Sequence, residues 1–357
     1  MKIAFFGSSL VSSYWNGAAT YYRGLVKELW RRGHAITFFE PDAFERQQHR
    51  DLPFPEWAHV IVYAPTVDAA LAALEQARGA DVVVKCSGVG VHDELLEKAV
   101  LDVPACGVSV FWDVDAPATL ARLEADDEDP FRDLLPRYDL VLTYGGGARV
   151  VERYRALGAT DCVPVYNAVD PESHYPVPPE PSFGADLSFL GNRLPDRELR
   201  VEHFLLRAAE LAPRSSFLLA GSGWQDRSVP PNVRVIGHVP ATDHNAFNCS
   251  PLAVLNVSRE SMAANGWSPA TRVFECAGAG ACLISDAWDG VEDFLEPGRE
   301  VLLATSGADV AATLDDLTPV VAQRIGAAAR RRVLAEHTYE RRALQVERVL
   351  ADVGVTA

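Results

Sequence analysis

Short apolar runs of strand length alternate with stretches of helical periodicity along the first half of the chain. The run at 3–6 precedes a stretch at 18–32 whose apolar positions recur at helical spacing, and Gly33 ends that stretch. Further runs predict strands at 35–39, 60–63, 82–85, 107–111 and 140–143, with helical patterns at 69–78 and 148–157. This alternation predicts a parallel sheet that helices cover on both faces.

A Pro-rich stretch interrupts the alternation near the middle of the chain. Residues 171–181 contain five prolines, a density that excludes a helix or a central strand and suits an interdomain linker. The alternation then resumes, and the end of the chain, at 320–353, is strongly helical. The second half is predicted to hold strands at 187–190, 216–220, 233–236, 252–257 and 282–285, and helices at 198–211 and 271–279.

Two doubly wound α/β domains therefore follow one another, and a length of 357 residues suits two domains of ordinary size. Ligands of such sheets bind outside the carboxyl ends of the strands. The predicted bounds are 1–170 for an N-terminal domain, 171–182 for the linker, 183–335 for a second domain and 336–357 for a C-terminal helix.

The net charge limits the classes of partner that the protein can bind, and the cysteine pattern indicates its compartment. A formal net charge of −16 argues against broad contact with nucleic acid or an anionic membrane, while a small anion could still bind a few placed basic groups. No apolar stretch approaches the roughly 20 residues that span a bilayer, and the N-terminal run lacks the features of a signal peptide. The six cysteines form no CxxC pair, which favours buried free thiols. We therefore predict a cytoplasmic protein with no integral membrane segment.

The first domain offers two sets of candidate residues. The loop at 7–9 lacks the GxGxxG pattern of a dinucleotide site. Trp15, Asn16 and Gly17 precede the first helix and could shape an acceptor pocket, or could simply pack the loop. Asp113 and Asp115 follow a strand and could supply a general base with a raised pKa, although one of them could instead cap the next helix.

Arginine must provide any side-chain clamp on phosphate in the second domain, because lysine occurs only at positions 2, 27, 85 and 98. Gly191, Arg193 and Arg197 lie where a predicted strand ends and a helix begins. A cation is disfavoured at a helix start unless it meets an anion there, which makes both arginines candidate diphosphate ligands.

The segment at 265–275 carries the densest set of candidate residues. Small and polar residues lead into a helix with a proline near its start, and exposed N–H groups at such a helix start bind anions. Ser268, Thr271 and Arg272 lie at this start, and Glu275 lies one turn further on, where a carboxylate can accept ribose hydroxyls or simply face solvent.

Several segments of the second domain resemble those of a known protein family. The run at 271–280, with 283–286 after it, resembles the nucleotide-sugar segment of GT-B glycosyltransferases, most closely the CgeB-like group of the glycosyl transferases group 1 superfamily. The similarity covers the second domain well and the first mainly in layout. Three further stretches agree with it: 186–191 with Arg197, 235–239 and 290–299.

The resemblance implies an α/β GT-B fold, in which two Rossmann-like doubly wound domains face each other across a cleft and a C-terminal helix crosses back. It implies a Leloir glycosyltransferase that takes a nucleotide-sugar donor, with a UDP-sugar favoured, and needs no metal or other cofactor. Carried over by position, Glu275 would hold the ribose, Arg197 the diphosphate, and His238 and Val239 the base.

One position departs from the pattern. The related retaining enzymes have a second glutamate eight residues before the position of Glu275, and Trp267 stands there in this chain. Retention and inversion both remain open, as do the donor base and sugar, the acceptor and the oligomeric state. Two other classes also remain: a nucleotide-sugar epimerase on the same fold and a non-enzymatic sugar-binding protein.

Overall fold

The computed structural model of the protein describes residues 1–14, 16–103 and 107–355. They form two compact units. The first comprises Met1–Asn167 together with Tyr339–Ala357, and the second comprises Ala168–Thr338.

The first unit is built on a parallel sheet of seven strands in the order β3-β2-β1-β4-β5-β6-β7. The strands are β1 Lys2–Phe6, β2 Ala35–Pro41, β3 His59–Tyr63, β4 Val82–Cys86, β5 Val108–Asp113, β6 Leu140–Thr143 and β7 Cys162–Pro164. All residues of β4, β5 and β6 are buried, as expected of central parallel strands covered on both faces. Six of these strands were predicted from the sequence. The short β7 was not.

Seven α-helices of the described residues belong to this unit. They are α1 Ala19–Arg31, α2 Val67–Gln76, α3 Asp93–Ala99, α4 Ala116–Ala125, α5 Pro130–Leu134, α6 Gly147–Ala156 and the last helix of the chain, Tyr339–Asp352. That last helix packs on α1, where the ring of Tyr339 lies so close to Gly24 that a Cβ there would be 2.2 Å from it. The prediction that 320–353 is strongly helical is confirmed, with a break at His337–Thr338 between two helices, of which the last joins the first unit.

The second unit has a parallel sheet of six strands in the order β10-β9-β8-β11-β12-β13. The strands are β8 Leu187–Leu190, β9 Phe217–Ala220, β10 Val233–Ile236, β11 Ala253–Asn256, β12 Leu283–Asp286 and β13 Leu302–Ala304. Counted from its own first strand, this order is 3-2-1-4-5-6, the order of a dinucleotide-binding Rossmann fold. Five of the strands were predicted, and the three-residue β13 was not.

The helices of the second unit are α7 Pro195–Val201, α8 Arg207–Leu211, α9 His244–Cys249, α10 Glu260–Asn265, α11 Thr271–Ala279, α12 Gly307–Asp316 and α13 Pro319–Glu336, so that the last helix of the chain is α14. A π-helical segment, Glu202–Leu206, joins α7 to α8. The helix predicted at 198–211 is confirmed, and one of its turns widens to π spacing.

The Pro-rich segment packs on the second unit. The amide of Asn245 donates to the carbonyl of Ser173 at 2.9 Å, and Ser250 accepts from the Glu180 N–H at 2.8 Å. Val169 pairs with Thr338 in an isolated parallel bridge. Within the described residues, no helix combines the length and apolar character needed to cross a bilayer.

The prediction of free thiols is confirmed for the five cysteines that lie among the described residues. Burial raises the pKa of Cys86, Cys162 and Cys282 to about 12, so these thiols stay protonated at neutral pH. Cys106 lies outside the described residues.

Candidate functional site

The switch point of the second sheet lies between β8 and β11, from which the strand order runs in opposite directions. Ligands of doubly wound sheets bind at the carboxyl ends of the strands near such a point. β8 ends at Leu190, just before Gly191, and α11 begins against this edge, because the Arg272 guanidinium lies 4.9 Å from the ring centre of Phe189 in β8.

The start of α11 is not capped by the protein. The N-cap residue is Ala270, no side chain accepts from the first turn, and that turn contains no acidic residue. The first N–H groups of a helix have no partner inside the helix, and they carry the positive end of its dipole. Ser268 does not cap it either, since its buried hydroxyl donates to the Gly266 carbonyl at 2.9 Å. An anion is the chemical partner that this helix start lacks.

Arg272 adds a cation in the first turn of α11. Burial lowers the pKa of this guanidinium, which stacks on Phe189. The charge of Glu275, one turn further along α11, acts against this shift. Desolvation of a cation is costly, and more so at the positive end of a helix. A bound anion would offset both costs.

Glu275 lies one turn along α11 and is largely buried, its side chain being 14% exposed. Its carboxylate lies 3.9 Å from Nε2 of His174, which comes from the Pro-rich segment. His244 lies close by, its Nε2 bonded to the Val239 carbonyl at 3.3 Å. Burial lowers the pKa of His244 despite the nearby Glu275 charge, so this ring is neutral at physiological pH. The environment of Glu275 is a polar pocket and not open solvent.

This trio is also the one group in the described residues that could hold a metal ion through three side chains. One ligand atom each from His174, His244 and Glu275 lie within 4.8 Å of one another. Two imidazoles and a carboxylate are a donor set that zinc accepts. The spacing is wider than that of a closed zinc site, and Arg272 contributes an unfavourable positive charge to His244.

The two predicted arginines of α7 and its preceding loop differ in their surroundings. Arg193 is already paired: Nη2 lies 2.5 Å from Glu198 and Nη1 lies 3.3 Å from Asp226. Arg197 lies against the end of β8, where a Cβ on Gly191 would be 2.9 Å from Nη1. The structure therefore brings Arg197, Gly191 and the start of α11 to one sheet edge, whereas the Arg193 donors are engaged elsewhere.

The loop after β10 holds the two residues expected near a base. Val239 is 3% exposed and belongs to a small apolar cluster with Phe247, so only its backbone faces the polar pocket around Glu275. His238 precedes it and is exposed. Thr271, the first residue of α11, is partly exposed.

Asp113, the first candidate base, is fully buried at the end of β5. Its carboxylate accepts from the Ser87 hydroxyl at 2.6 Å and the Asp115 N–H at 2.9 Å, and from the Tyr154 hydroxyl. Burial raises the pKa of Asp113 although these bonds oppose the shift. This geometry is that of a carboxylate that orders the loop after β5. Its role as a base stays a prediction.

Asp115, the second candidate, is partly exposed and occupies the N-cap position of α4. Its side chain makes no capping hydrogen bond to that helix, and Pro117 lies in the first turn as expected. Of the two carboxylates, Asp115 is therefore the one that a substrate hydroxyl could reach.

The candidate acceptor residues lie in the loop between β1 and α1. Trp15 lies outside the described residues. Asn16 is buried, and its amide donates to the carbonyls of Ser9 and Ser12 while its oxygen accepts from Ser8, so it organises the loop. Gly17 is exposed, and a Cβ there would meet no atom within 4 Å.

Three features of the second unit did not emerge from sequence reasoning. His174 and His244 reach Glu275 from segments far away in the chain. Arg200 pairs with the fully buried Asp286 at 2.6 Å. Trp267 has a left-handed backbone, with φ of +42°. Only the pairing of His174 had a sequence signal, a lone histidine within the Pro-rich stretch.

Two Rossmann-like units on one chain are the architecture of the GT-B class of proteins. Solved structures agree on the fold. The sucrose-phosphate synthase of Thermosynechococcus elongatus has a TM-score of 0.72 and 14% identity over 99% of both chains. Anabaena HepE in complex with UDP and glucose has a TM-score of 0.68 and 14% identity, over 99% of this chain and 100% of that one. AviGT4, a glycosyltransferase of avilamycin A biosynthesis, has a TM-score of 0.59 and 17% identity over 99% of both chains.

Residues 197–348 match the glycosyl transferase-like family. No curated protein sequence matches the chain. The solved structures therefore show that the chain has the GT-B fold. The CgeB-like subgroup stays a prediction.

Proposed function

We propose that the protein transfers a sugar from a nucleoside diphosphate donor, a UDP-sugar by preference, to an acceptor hydroxyl. The second unit would bind the donor and the first unit the acceptor. The observation that carries the proposal is the Arg272 guanidinium, which stacks on Phe189 at the start of α11, a helix whose N-cap residue makes no side-chain hydrogen bond to it. The UDP and UDP-glucose held by Anabaena HepE, which has the same fold, support the choice of base.

The donor would lie along α11. Its diphosphate would meet the free N–H groups at Thr271 and the guanidinium of Arg272, with Arg197 at the neighbouring strand end. Glu275 would accept the ribose hydroxyls, and the loop at His238 and Val239 would contact the base. When the glycosidic bond breaks, charge grows on the departing diphosphate, and fixed cations and helix dipoles stabilise that charge without reorganising.

The acceptor hydroxyl must lose a proton during transfer. We propose Asp115 as the group that takes this proton if the enzyme inverts, because Asp113 is enclosed and Asp115 is partly exposed. If the enzyme retains configuration, the leaving phosphate can take the proton instead. An Asp115→Asn variant with unchanged turnover would favour the second route.

A thermal-shift panel of UDP, dTDP, GDP and ADP tests the nucleotide, followed by transfer assays with the matching sugar donors. Arg272→Met should lose most of the stabilisation by nucleotide, because a charge-assisted contact to phosphate contributes roughly 1.5–3 kcal/mol. Arg214→Met is the matched control, since Arg214 is an exposed arginine of the same unit. Equal nucleotide affinity in both variants would contradict the proposal. So would conversion of donor to a new nucleotide sugar without acceptor.

The ribose contact has a separate test. Wild-type protein should bind UDP more tightly than 2′-deoxy-UDP, and Glu275→Gln should reduce that preference because an amide accepts hydroxyl protons less well than a carboxylate. Glu292→Gln, an exposed acid in the same unit, should keep the preference. A preference that survives in Glu275→Gln would remove this residue from the ribose site.

We further propose that transfer needs no metal ion, because the helix start and the arginines supply the charge that a metal would otherwise supply. EDTA should then leave turnover unchanged. Loss of turnover with EDTA, restored by zinc in wild type but not in His174→Ala, would assign the metal to the trio at Glu275. The free thiols support a cytoplasmic location.

A further inference from the structure

Trp267, four residues before the first residue of α11, is held in a strained backbone conformation. Its φ of +42° lies in the left-handed region, which large side chains rarely adopt without compensation. Such outliers persist where neighbouring structure enforces them, and they often mark functional sites. The residue is partly exposed, so the strain does not serve to bury an apolar side chain.

Neighbouring groups fix the orientation of the indole ring. Its Nε1–H donates to the Asp293 carboxylate at 2.6 Å, and the backbone N–H of Trp267 donates to the Asp289 carbonyl at 2.7 Å. The ring also lies against Gly290, where a Cβ would be 2.3 Å from Cε2 and Nε1. Only glycine leaves room for the ring at this position. The segment at 289–293 therefore holds the polar edge and one face of the indole.

The chemistry of the donor indicates which of its groups would contact the other face of the Trp267 indole. This step rests on the proposed function. Base, ribose, diphosphate and sugar follow one another in a nucleotide sugar. With the ribose at Glu275 and the diphosphate at Thr271, about 6 Å nearer the start of α11 at 1.5 Å per residue, the sugar lies beyond the helix start. Trp267 precedes α11 and so lies on the sugar side of the ribose, whereas the base lies on the opposite side of the ribose.

We propose that Trp267 is a rigid stacking platform for the sugar ring of the donor. The face of an aromatic ring is electronegative, and the C–H bonds on one face of a pyranose are weakly electropositive, so the two surfaces attract. Clamping by Asp293 and Gly290 holds the indole before the ligand arrives, which lowers the ordering cost of binding. The platform would contribute to the affinity for the sugar and not to that for the nucleotide.

The test compares the dissociation constants of UDP and UDP-glucose by calorimetry. Trp267→Ala should weaken UDP-glucose about tenfold, the upper range for an aromatic contact, while UDP binds within about twofold of wild type. Trp267→Phe should keep most of the UDP-glucose affinity. Asp293→Ala, which retains the indole but releases its N–H, should show an intermediate loss. Trp30→Ala, an exposed tryptophan of the first unit, is the control.

Each other outcome is informative. An equal loss for UDP and UDP-glucose in Trp267→Ala would mean that the residue supports the helix start, and would overturn the proposal while the donor site stands. Unchanged UDP-glucose affinity would also overturn it. If wild-type protein prefers another nucleotide, the same comparison uses that nucleotide and its glucose conjugate. Wild-type protein that binds no nucleotide overturns the proposed function, and this proposal with it.

Discussion

The buried carboxylate at the end of β5 can be assigned by experiment to catalysis or to architecture. Asp113 accepts three hydrogen bonds, from Ser87, Tyr154 and the Asp115 N–H, and has no exposed surface. We expect an architectural role. Two substitutions separate the possibilities, because Asp113→Asn keeps the shape and removes the charge, whereas Asp113→Ala removes the acceptors altogether.

The sizes of the effects follow from the three donors. In Asp113→Ala each donor loses its partner, at roughly 1–3 kcal/mol for a buried group. The two hydroxyls can rotate toward other acceptors, but the backbone N–H cannot, so we expect a loss of about 3 kcal/mol. In Asp113→Asn the amide oxygen can still accept from the N–H, and one hydroxyl must turn round. The expected loss is about 1–2 kcal/mol.

The dependence on pH has a defined sign. Burial raises the pKa of Asp113, so the folded protein binds this proton more tightly than the unfolded chain does. The carboxyl therefore favours folding below its unfolded pKa near 3.9, and this contribution is lost as the pH rises through the folded value. The slope is at most about 1.4 kcal/mol per pH unit. Asp113→Asn has no such slope, so its deficit relative to wild type should be larger at pH 4.5 than at pH 7.5.

Hydrogen exchange of peptides from β4, β5 and α6 measures this stability within the first unit, and a transfer assay measures activity. We expect Asp113→Asn to keep turnover within about threefold of wild type. A general base contributes roughly 10²–10⁴-fold. A loss of that size in Asp113→Asn, with exchange rates near those of wild type, would refute the architectural reasoning and establish Asp113 as the base.

Three shorter predictions concern packing and charge. Gly24→Ala should destabilise the first unit in thermal melts, because its Cβ would overlap the tyrosine ring at the start of α14. The overlap should cost about 1–3 kcal/mol, and the higher helix propensity of alanine should offset up to about 1 kcal/mol of that cost. Arg200→Ala should cost the second unit about 3–5 kcal/mol in urea at pH 8 and less at pH 5, because burial raises the pKa of Asp286, so acid neutralises the carboxylate left unpaired. Arg193→Ala should change UDP affinity less than threefold by calorimetry, since its guanidinium is engaged by carboxylates.

Buried parallel strands were the most predictable part of the fold. β4 shows why, since all five of its residues are buried and its first three, Val82–Val84, form an apolar run. Short peripheral elements give no such run. α10 has one fully buried residue in six, Met262, and β13 has only three residues in total. Their pairing depends on what the rest of the unit presents to them.

The candidate site was predictable where it depends on local chain features and unpredictable where it depends on contacts across the unit. The small residues and proline before α11 are local, and they indicate an uncapped helix start. The pairing of Arg193 with Asp226 joins positions 33 residues apart, and nothing in the sequence links them. The proximity of His174 to Glu275 likewise follows from how the Pro-rich segment packs.

The acidic character of the chain is compatible with an anionic donor. The cation at the candidate site acts on the donor at short range, whereas the distant acidic groups are screened by salt. A net charge of −16 spread over the molecule is damped by salt within about 8 Å under physiological conditions. Arg272 is partly buried and stacked on Phe189, so its field is screened less than that of a fully solvated arginine. The helix dipole of α11 acts over the same range. Attraction at the helix start can therefore exceed the weak repulsion from the distant acidic surface.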